Sequence, residues 1–407
     1  MLIITLIKGV PARTTQVQTV SGVLKREEME LVLNPHDARA IEAAYYIKRV
    51  TGGKIICLSM GPEPKIVPIM KELFEPREDS RLVPRISFAG VDQNILLSDR
   101  RMAGADTWAT SYTLAKGIHK IIRLHLEAVD KLEQAIGSPA LAETARSLYK
   151  SGLIPHYIYS ELPAIKNSLV NRYLKGEIGG EDLKRNLKEY REDLMRVIIL
   201  AGMKTTDGET GNTGPQTAEA LSDMMGRLIP SVAFVREMEV SPEGDHVVAV
   251  RSIGGIIQKL RIPTPCLITI HTEFEPKIPA ATRQRKVRER SYVPQRGKVE
   301  VWNADFIEAD PSKLGLMGSP TIVGPGYEVG RPPAQKVVGE SLIFAKDVEQ
   351  TEWNGKKYGP FKSGDLVSNL PQDLLDHLRS RGLIRIFTLE DMIVELFGGL
   401  KVVARAV

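Results

Sequence analysis

Several functional classes are excluded by what this sequence lacks. No apolar run approaches the roughly 20 residues needed to cross a bilayer; the longest are Leu2 to Ile7 and Val197 to Ala201. The N-terminus carries no basic region, apolar stretch and small-residue cleavage site in that order, so a cytoplasmic location with no direct membrane span is expected. There are 2 cysteines in 407 residues. Cys57 and Cys266 lie in β-branched or leucine-rich runs, where a thiol behaves as a small buried hydrophobe, and with no metal or iron–sulfur spacing no metal is expected. Also missing are GxxxxGK followed by Ser or Thr, GxSxG, HExxH, CxxC and a strand-linked GxGxxG. A self-contained hydrolase or kinase is thereby disfavoured, and any chemistry falls to a bound cofactor. Aromatics are 6% of the chain and the net charge is +5. That is modest for this length and comes without an aromatic platform, so nucleic acid is not an expected partner.

What remains is an ordinary globular composition, 43% apolar and 26% charged, long enough for two or three units and a sizeable core. Leu2 to Ile7 has the form of a strand buried on both faces, the first of a parallel sheet. In Asn34-Pro35-His36-Asp37, Asn34 suits an N-cap, Pro35 the first helical position and Asp37 the positive end of the dipole. Ala40, Ala44, Ile47 and Val50 give the helix one apolar face. Lys54 to Ser59 is the next strand, followed by a Met60-Gly61-Pro62 turn, a helix over Lys65 to Phe74 and a strand at Asn94 to Leu97.

A polar turn and a helix from near Trp108 complete a βαβ series. Helical text then runs from Ile118 to Met195. His125 falls in its apolar seam and reads as a core or boundary residue. Val197 to Ala201 resumes the parallel-sheet pattern, a Gly-rich loop follows, and a helix is expected from Gln216 to about Leu228. Val232 to Val240, His246 to Ile253, Ile256 to Ile262 and Cys266 to His271 read as strands, with the core closing near 272. Beyond it the chain is Pro-rich and basic, with Lys277, Arg283, Arg285, Lys286, Arg288 and Arg290, and reads as an arm. The final piece ends in a helical run, Leu389 to Phe397.

The best local candidate for chemistry is Asp207-Gly208-Glu209-Thr210-Gly211-Asn212-Thr213-Gly214-Pro215. A strand delivers it to the C-terminal edge of the sheet and Pro215 opens a helix, where backbone N–H groups meet the positive end of a dipole. Gly208, Gly211 and Gly214 permit close backbone approach to a pyrophosphate, and Thr210 and Thr213 can donate hydroxyl protons. Asp207 and Glu209 would repel phosphate, and suit ribose or ribityl hydroxyls or a direction away from the site. A plain Gly-rich turn is the competing reading; a calcium loop would need alternating oxygen ligands and a closing Glu.

Taken in order, Ile7-Lys8-Gly9-Val10-Pro11, Asn34-Pro35-His36-Asp37, Leu58-Ser59-Met60-Gly61-Pro62, SDRRMAGADTWATSYTLA from Ser98 to Ala115, Asp207 to Gln216, and LGLMGSPT from Leu314 to Thr321 followed by Arg331-Pro332-Pro333 resemble the electron-transfer flavoprotein β-subunit family. The resemblance covers about two-thirds of the chain in co-linear order, which a chance motif would not. It implies an α/β fold with a parallel-sheet nucleotide-binding core of the adenine nucleotide alpha hydrolase-like kind, and the pattern along the chain places that core at 1–117 and 196–272. A helical insertion at 118–195, a partner-contacting arm at 273–340 and an extension at 341–407 complete it.

The family is a heterodimer with an α subunit that carries its own flavin. The nucleotide of the β subunit is AMP in simple carriers. In electron-bifurcating members it is FAD, which accepts hydride from NADH. By position, the contacts fall at Leu6, Lys8, Asn34, Pro35, His36, Asp37, Met60 and Gly61, and at Lys204, Thr205, Thr206 and the loop from Asp207 to Pro215. The stretch from Ser98 resembles the FAD-holding type, with Asp99, Arg100, Asp106 and Thr107 supplying extra hydrogen bonds; the bland alternative is that these residues cap the next helix. No side chain is assigned as an acid–base catalyst.

Two departures matter. Met203-Lys204-Thr205-Thr206 stands where members usually have Arg-Gln-Ala-Ile or similar. Pro279-Ala280-Ala281-Thr282 stands where the family commonly projects a leucine toward its dehydrogenase partner. The second points to a different assembly, with a membrane-associated flavoprotein–quinone oxidoreductase and a ferredoxin-like subunit. Besides the bifurcating subunit, a simple carrier holding structural AMP and a nucleotide-sensing scaffold remain as readings.

Overall fold

The computed structural model describes residues 1–12, 19–20, 23–24, 30–74, 90–275, 284–321, 342–365, 367 and 370–386. The chain forms two units, Met1–Gly326 and Tyr327–Val407.

The strands of the first unit are β1 (Leu2–Leu6), β2 (Gly9–Pro11), β3 (Thr19–Val20), β4 (Val23–Leu24), β5 (Leu31–Leu33), β6 (Lys54–Met60) and β7 (Gln93–Leu97). They continue with β8 (Val197–Gly202), β9 (Ser231–Val240), β10 (His246–Ile253), β11 (Ile256–Pro263), β12 (Cys266–Ile270) and β13 (Val299–Trp302). Nine of them make one sheet in the order β11-β10-β9-β12-β8-β1-β6-β7-β13. From β9 to β13 every neighbouring pair is parallel, and β10 and β11 extend one end as an antiparallel meander.

The central strands are apolar throughout because both faces are covered. Leu2, Ile4 and Leu6 pack on one side with Ile118, Ile121 and Ile122 of α3 (Thr107–Ala135) and with Leu183 and Leu187 of α6 (Gly180–Leu194). Ile3 and Ile7 point the other way, onto Ala40, Ile41, Ala44 and Ile47 of α1 (Pro35–Thr51). The alternation is the period-2 geometry of a strand with a helical layer on each side.

Four expectations from the sequence change. The boundary placed between 117 and 118 falls inside α3, which runs unbroken for 29 residues. Gly117 does not break it, because the missing side chain lets the helix lie against Leu58 and Leu97; a Cβ there would stand 3.0 Å from the Leu97 methyl. The sheet also does not close near 272, since β13 pairs with β7. Within the stretch read as an arm, Tyr292, Trp302, Ala304, Ile307 and Leu314 are buried, so their apolar surface returns 284–321 to the body of this unit. Finally, α7 spans Thr213–Met225 rather than Gln216 to Leu228, stopped by Gly226 in the left-handed region, and Leu228 is exposed.

In the second unit Leu342–Phe344 pairs antiparallel with Ile384–Ile386, and Thr351–Trp353 with Lys356–Tyr358. Phe344, Val348, Leu374, Leu378 and Ile384 form its own small core. Lys277, Arg283, Pro279 to Thr282, Arg331 to Pro333 and the helical run expected at Leu389 to Phe397 lie outside the described residues.

Candidate nucleotide-binding site

Strand order reverses between β1 and β8. From β1 the chain builds outward through β6 and β7 in one direction, and from β8 through β12 in the other. Loops leaving the carboxyl ends of two such strands diverge and leave a crevice, the place where open α/β sheets bind ligands. Here the two loops are Ile7–Pro11 and Met203–Asn212, and the first turn of α1 sits against both.

Asp37 is buried in that turn. One of its carboxylate oxygens accepts from the Lys8 amide at 2.8 Å and the other from the Gly202 amide at 3.1 Å. Burial raises its pKa to about 7 against the opposing pull of these donors. Asn34 occupies the N-cap position but makes no side-chain cap bond. Its Nδ2 donates instead to the Lys204 carbonyl at 3.0 Å, so the expected cap is replaced by a tie between the helix and the Gly-rich loop. Pro35 holds the first helical position as expected.

Asn34 Oδ1 and His36 Nδ1 are both buried with no hydrogen-bond partner among the described residues. Buried polar atoms are rarely left so. Desolvation, followed by the charge of Lys204, holds His36 below its usual pKa, so the imidazole is neutral at physiological pH.

The loop itself is exposed from Asp207 to Thr210. Lys8 Nζ lies 2.6 Å from an Asp207 carboxylate oxygen, and Lys204 Nζ lies 3.0 Å from Glu209. The two acidic residues are thus neutralised by lysines at the mouth, which removes much of their expected repulsion toward a phosphate. Glu209 has φ 52 and Gly211 φ 66; a Cβ on Gly211 would also stand 3.2 Å from the Met203 carbonyl. Gly214 has a different task. Its bare α-carbon lies against Thr269 and Leu267 of β12, bringing α7 close to the sheet. The first amides of a helix have no partner within it, and α7 starts at Thr213, so Thr213 and Gly214 lie in its first turn.

Leu6 is buried at the end of β1, and Met60 and Gly61 are half-buried at the end of β6, where the Gly61 amide donates to the Leu97 carbonyl at 3.0 Å. Thr205 Oγ1 accepts from the Gly208 amide at 3.4 Å and its carbonyl from the Glu209 amide at 3.0 Å. Thr206 is half-buried.

The second stretch is used differently from the sequence reading. Asp99 accepts from the amide and guanidinium of Arg101 and from the Ala304 amide, and the Arg101 contacts hold its carboxyl well below the usual range. Asp106 caps α3 through the Ala109 amide at 2.9 Å and takes Thr321 Oγ1 at 2.7 Å. Both carboxylates are therefore engaged within the protein. Arg100 is exposed and Thr107 half-buried.

A link that sequence reasoning missed joins this stretch to the loop. Ser111 Oγ donates its one proton to the Thr107 carbonyl at 2.7 Å, within its own helix, and lies 3.2 Å from the Thr213 carbonyl at the start of α7. Gly202, Ser319 and Thr321 were given no site role either. Ser319 and Thr321 fall in the Leu314–Thr321 motif of the resemblance, and Gly202 is a glycine ending an otherwise bulky strand; a Cβ there would strike the His36 backbone 2.6 Å away. Among the described residues no group of His, Cys, Asp and Glu could hold a metal ion, and no helix is long and apolar enough to cross a membrane.

Comparison with known proteins follows the same lines. The electron transfer flavoprotein domain family matches residues 21–129, a span that includes the first turn of α1 and the stretch from Ser98. The electron transfer flavoprotein subunit beta of Thermoanaerobacterium thermosaccharolyticum is 27% identical over 325 residues, covering 79% of this chain and 86% of that protein. Protein FixA of Bradyrhizobium diazoefficiens is 29% identical over 346 residues, 84% of this chain and 86% of its own. The caffeyl-CoA reductase-Etf complex subunit CarD of Acetobacterium woodii is 25% identical over 375 residues, 91% and 98% of the two chains.

Proposed function

We propose, for a chain that belongs to the electron transfer flavoprotein β-subunit family, that the crevice between β1 and β8 holds the ADP half of FAD and that the subunit works in electron bifurcation. Electron transfer is the family's business; FAD, NADH and bifurcation are our reading. The observation that carries it is the approach of Ser111 Oγ to within 3.2 Å of the Thr213 carbonyl, which sets the stretch resembling FAD-holding members against the helix that follows the phosphate loop.

The residues suit such a ligand. Gly211 leaves the backbone bare where a Cβ would crowd the loop. The first turn of α7 offers amides and a positive dipole end to a pyrophosphate. Asn34 Oδ1 and His36 Nδ1 are buried without partners at the start of α1: the amide oxygen can accept, and the neutral imidazole can donate or accept according to tautomer. Lys8 and Lys204, already balanced by Asp207 and Glu209, keep the local charge near zero. When bound, FAD would supply the redox chemistry, accepting hydride from NADH and releasing electrons one at a time. The protein's own part is to bind, orient and shield, and no side chain is needed as a proton donor.

An α subunit with its own flavin is the proposed immediate partner, and a flavoprotein–quinone oxidoreductase and a ferredoxin-like subunit the proposed acceptors. A second reading, AMP in a simple carrier, gains support from the engagement of Asp99 and Asp106 inside the protein, which leaves fewer groups for an isoalloxazine ring. Extraction of nucleotides from the purified heterodimer separates the two. Two FADs per heterodimer with bleaching by NADH are expected; one FAD with one AMP would overturn bifurcation and leave nucleotide binding standing.

A further inference from the structure

At the mouth of the crevice the exits of β1 and β8 are not joined to one another by sheet hydrogen bonds; the last registered pair is Thr5 with Leu200. Beyond it the two chains part, and Asp37, reaching in from α1, bonds to both. Oδ2 takes the Lys8 amide and Oδ1 the Gly202 amide. The site is shaped around this carboxylate, since a Cβ on Gly202 would meet Asp37 Oδ1 and the backbone of His36.

We propose that Asp37 is the positioning residue of the nucleotide crevice, its carboxylate fixing the separation of the β1 and β8 exits so that the Lys8 side and the Gly-rich loop close on one ligand together. The inference rests on the nucleotide reading of the same site and adds that Asp37 acts through the two strand exits rather than by touching the ligand. Both oxygens are committed to backbone amides, and the residue is only 5% exposed, which leaves it little access to a ligand.

A carboxylate serves this purpose where an amide would not. Ionised, it presents an acceptor on each oxygen; protonated or replaced by Asn, it turns a donor toward one of the two N–H groups. The charged and titratable groups acting with it are Lys8 at the β1 exit and Cys57 on β6, whereas Lys204 and Glu209 act on the neighbouring His36. Burial raises Asp37 to about 7, so the clamp is fully formed above neutrality and weakens as pH falls.

The test is equilibrium titration of the full chain with AMP and, separately, with FAD from pH 6 to pH 8. Wild type is compared with Asp37→Asn, Gly202→Ala and Gly211→Glu. Comparison at each pH removes the ligand's own titration. At pH 8 Asp37→Asn is expected to bind about tenfold more weakly, the loss of one charge-assisted hydrogen bond. The wild-type advantage over Asp37→Asn should shrink from pH 8 toward pH 6 as Asp37 takes up its proton, with an unchanged circular dichroism spectrum in the variant. Gly202→Ala keeps the carboxylate but wedges the β8 exit, and is expected to weaken binding comparably, so the idea stays testable if Asp37→Asn fails to fold. Wild-type affinity in either variant, or a wild-type pH slope in Asp37→Asn, would overturn the positioning role while Gly211→Glu still abolishes binding. Failure of both nucleotides to bind the wild type would overturn the site reading on which it rests.

Discussion

The two ends of the central sheet bury polar groups in opposite ways. At the amino edge Lys54 is fully buried, yet its Nζ meets Gln93 Oε1 at 2.5 Å and His125 Nε2 at 3.4 Å, and Gln93 passes the network to Glu300 at 2.6 Å. Lys48 pairs with Asp92 at 2.6 Å, and Asp92 also takes the Ile55 amide. Only Asn94 Oδ1 lacks a partner in that group. At the carboxyl edge Asn34 Oδ1 and His36 Nδ1 are unpartnered and the charged pairs sit at the surface. A network closed on itself stabilises a fold; one with open valences is arranged for something that arrives later. The contrast sets a connected polar network at one edge against open buried valences at the other, the edge where the nucleotide is proposed to bind.

The largest expected effect falls on the binding edge. Gly211→Glu forces a side chain into a left-handed turn and sets a carboxylate against the phosphates, so nucleotide affinity should drop by at least about 100-fold, since like charges in contact cost several kcal/mol. Retained affinity by titration would mean that the loop is not the phosphate site.

Next is Lys54→Met at the structural edge. It removes the donor to Gln93 and His125, stranding buried acceptors at a cost of about 1–3 kcal/mol, while at neutral pH it relieves the burial of an ammonium group, so the net loss of stability should grow toward alkaline pH. Denaturant unfolding measures this, and nucleotide affinity should not change. The wild type should carry a matching pH signature. Burial lowers Lys54 from 10.5 to about 8 in the folded chain. Between those two values the unfolded chain holds a proton that the native chain has released, so stability rises with pH across that window. The Lys54→Met variant should lose this rise; an identical slope in both proteins would remove Lys54 from the account.

Smallest is Asp106→Ala, which deletes an N-cap and should cost about 1 kcal/mol. If Asp106 serves only the turn, the cofactor should remain bound; its release would mean that the carboxylate touches the cofactor.

How far the sequence carried this picture depended on where each residue's partners lie. Strands β1, β6 and β8 were legible because burial on both faces leaves unbroken apolar runs, and Pro35 marked the start of α1 by its own geometry. Asn34 stands at the N-cap position as expected, but its side-chain amide is claimed by Lys204, 170 positions away, and no local pattern reports that. β13 was lost for a similar reason. Val299–Trp302 is a four-residue strand between basic and polar text, and only its pairing with β7 makes it part of the sheet. In the site, the glycines of 207–215 were readable as backbone freedom, but Ser111, Gly202 and Thr321 act through contacts that exist only once the chain has folded.

Amide hydrogen exchange with and without a saturating adenine nucleotide tests the central claim most directly. The account predicts slowed exchange in peptides covering 34–38 and 203–217, with peptides at 54–56 and 92–94 unchanged. Protection at the amino edge, or none at 203–217, would contradict it.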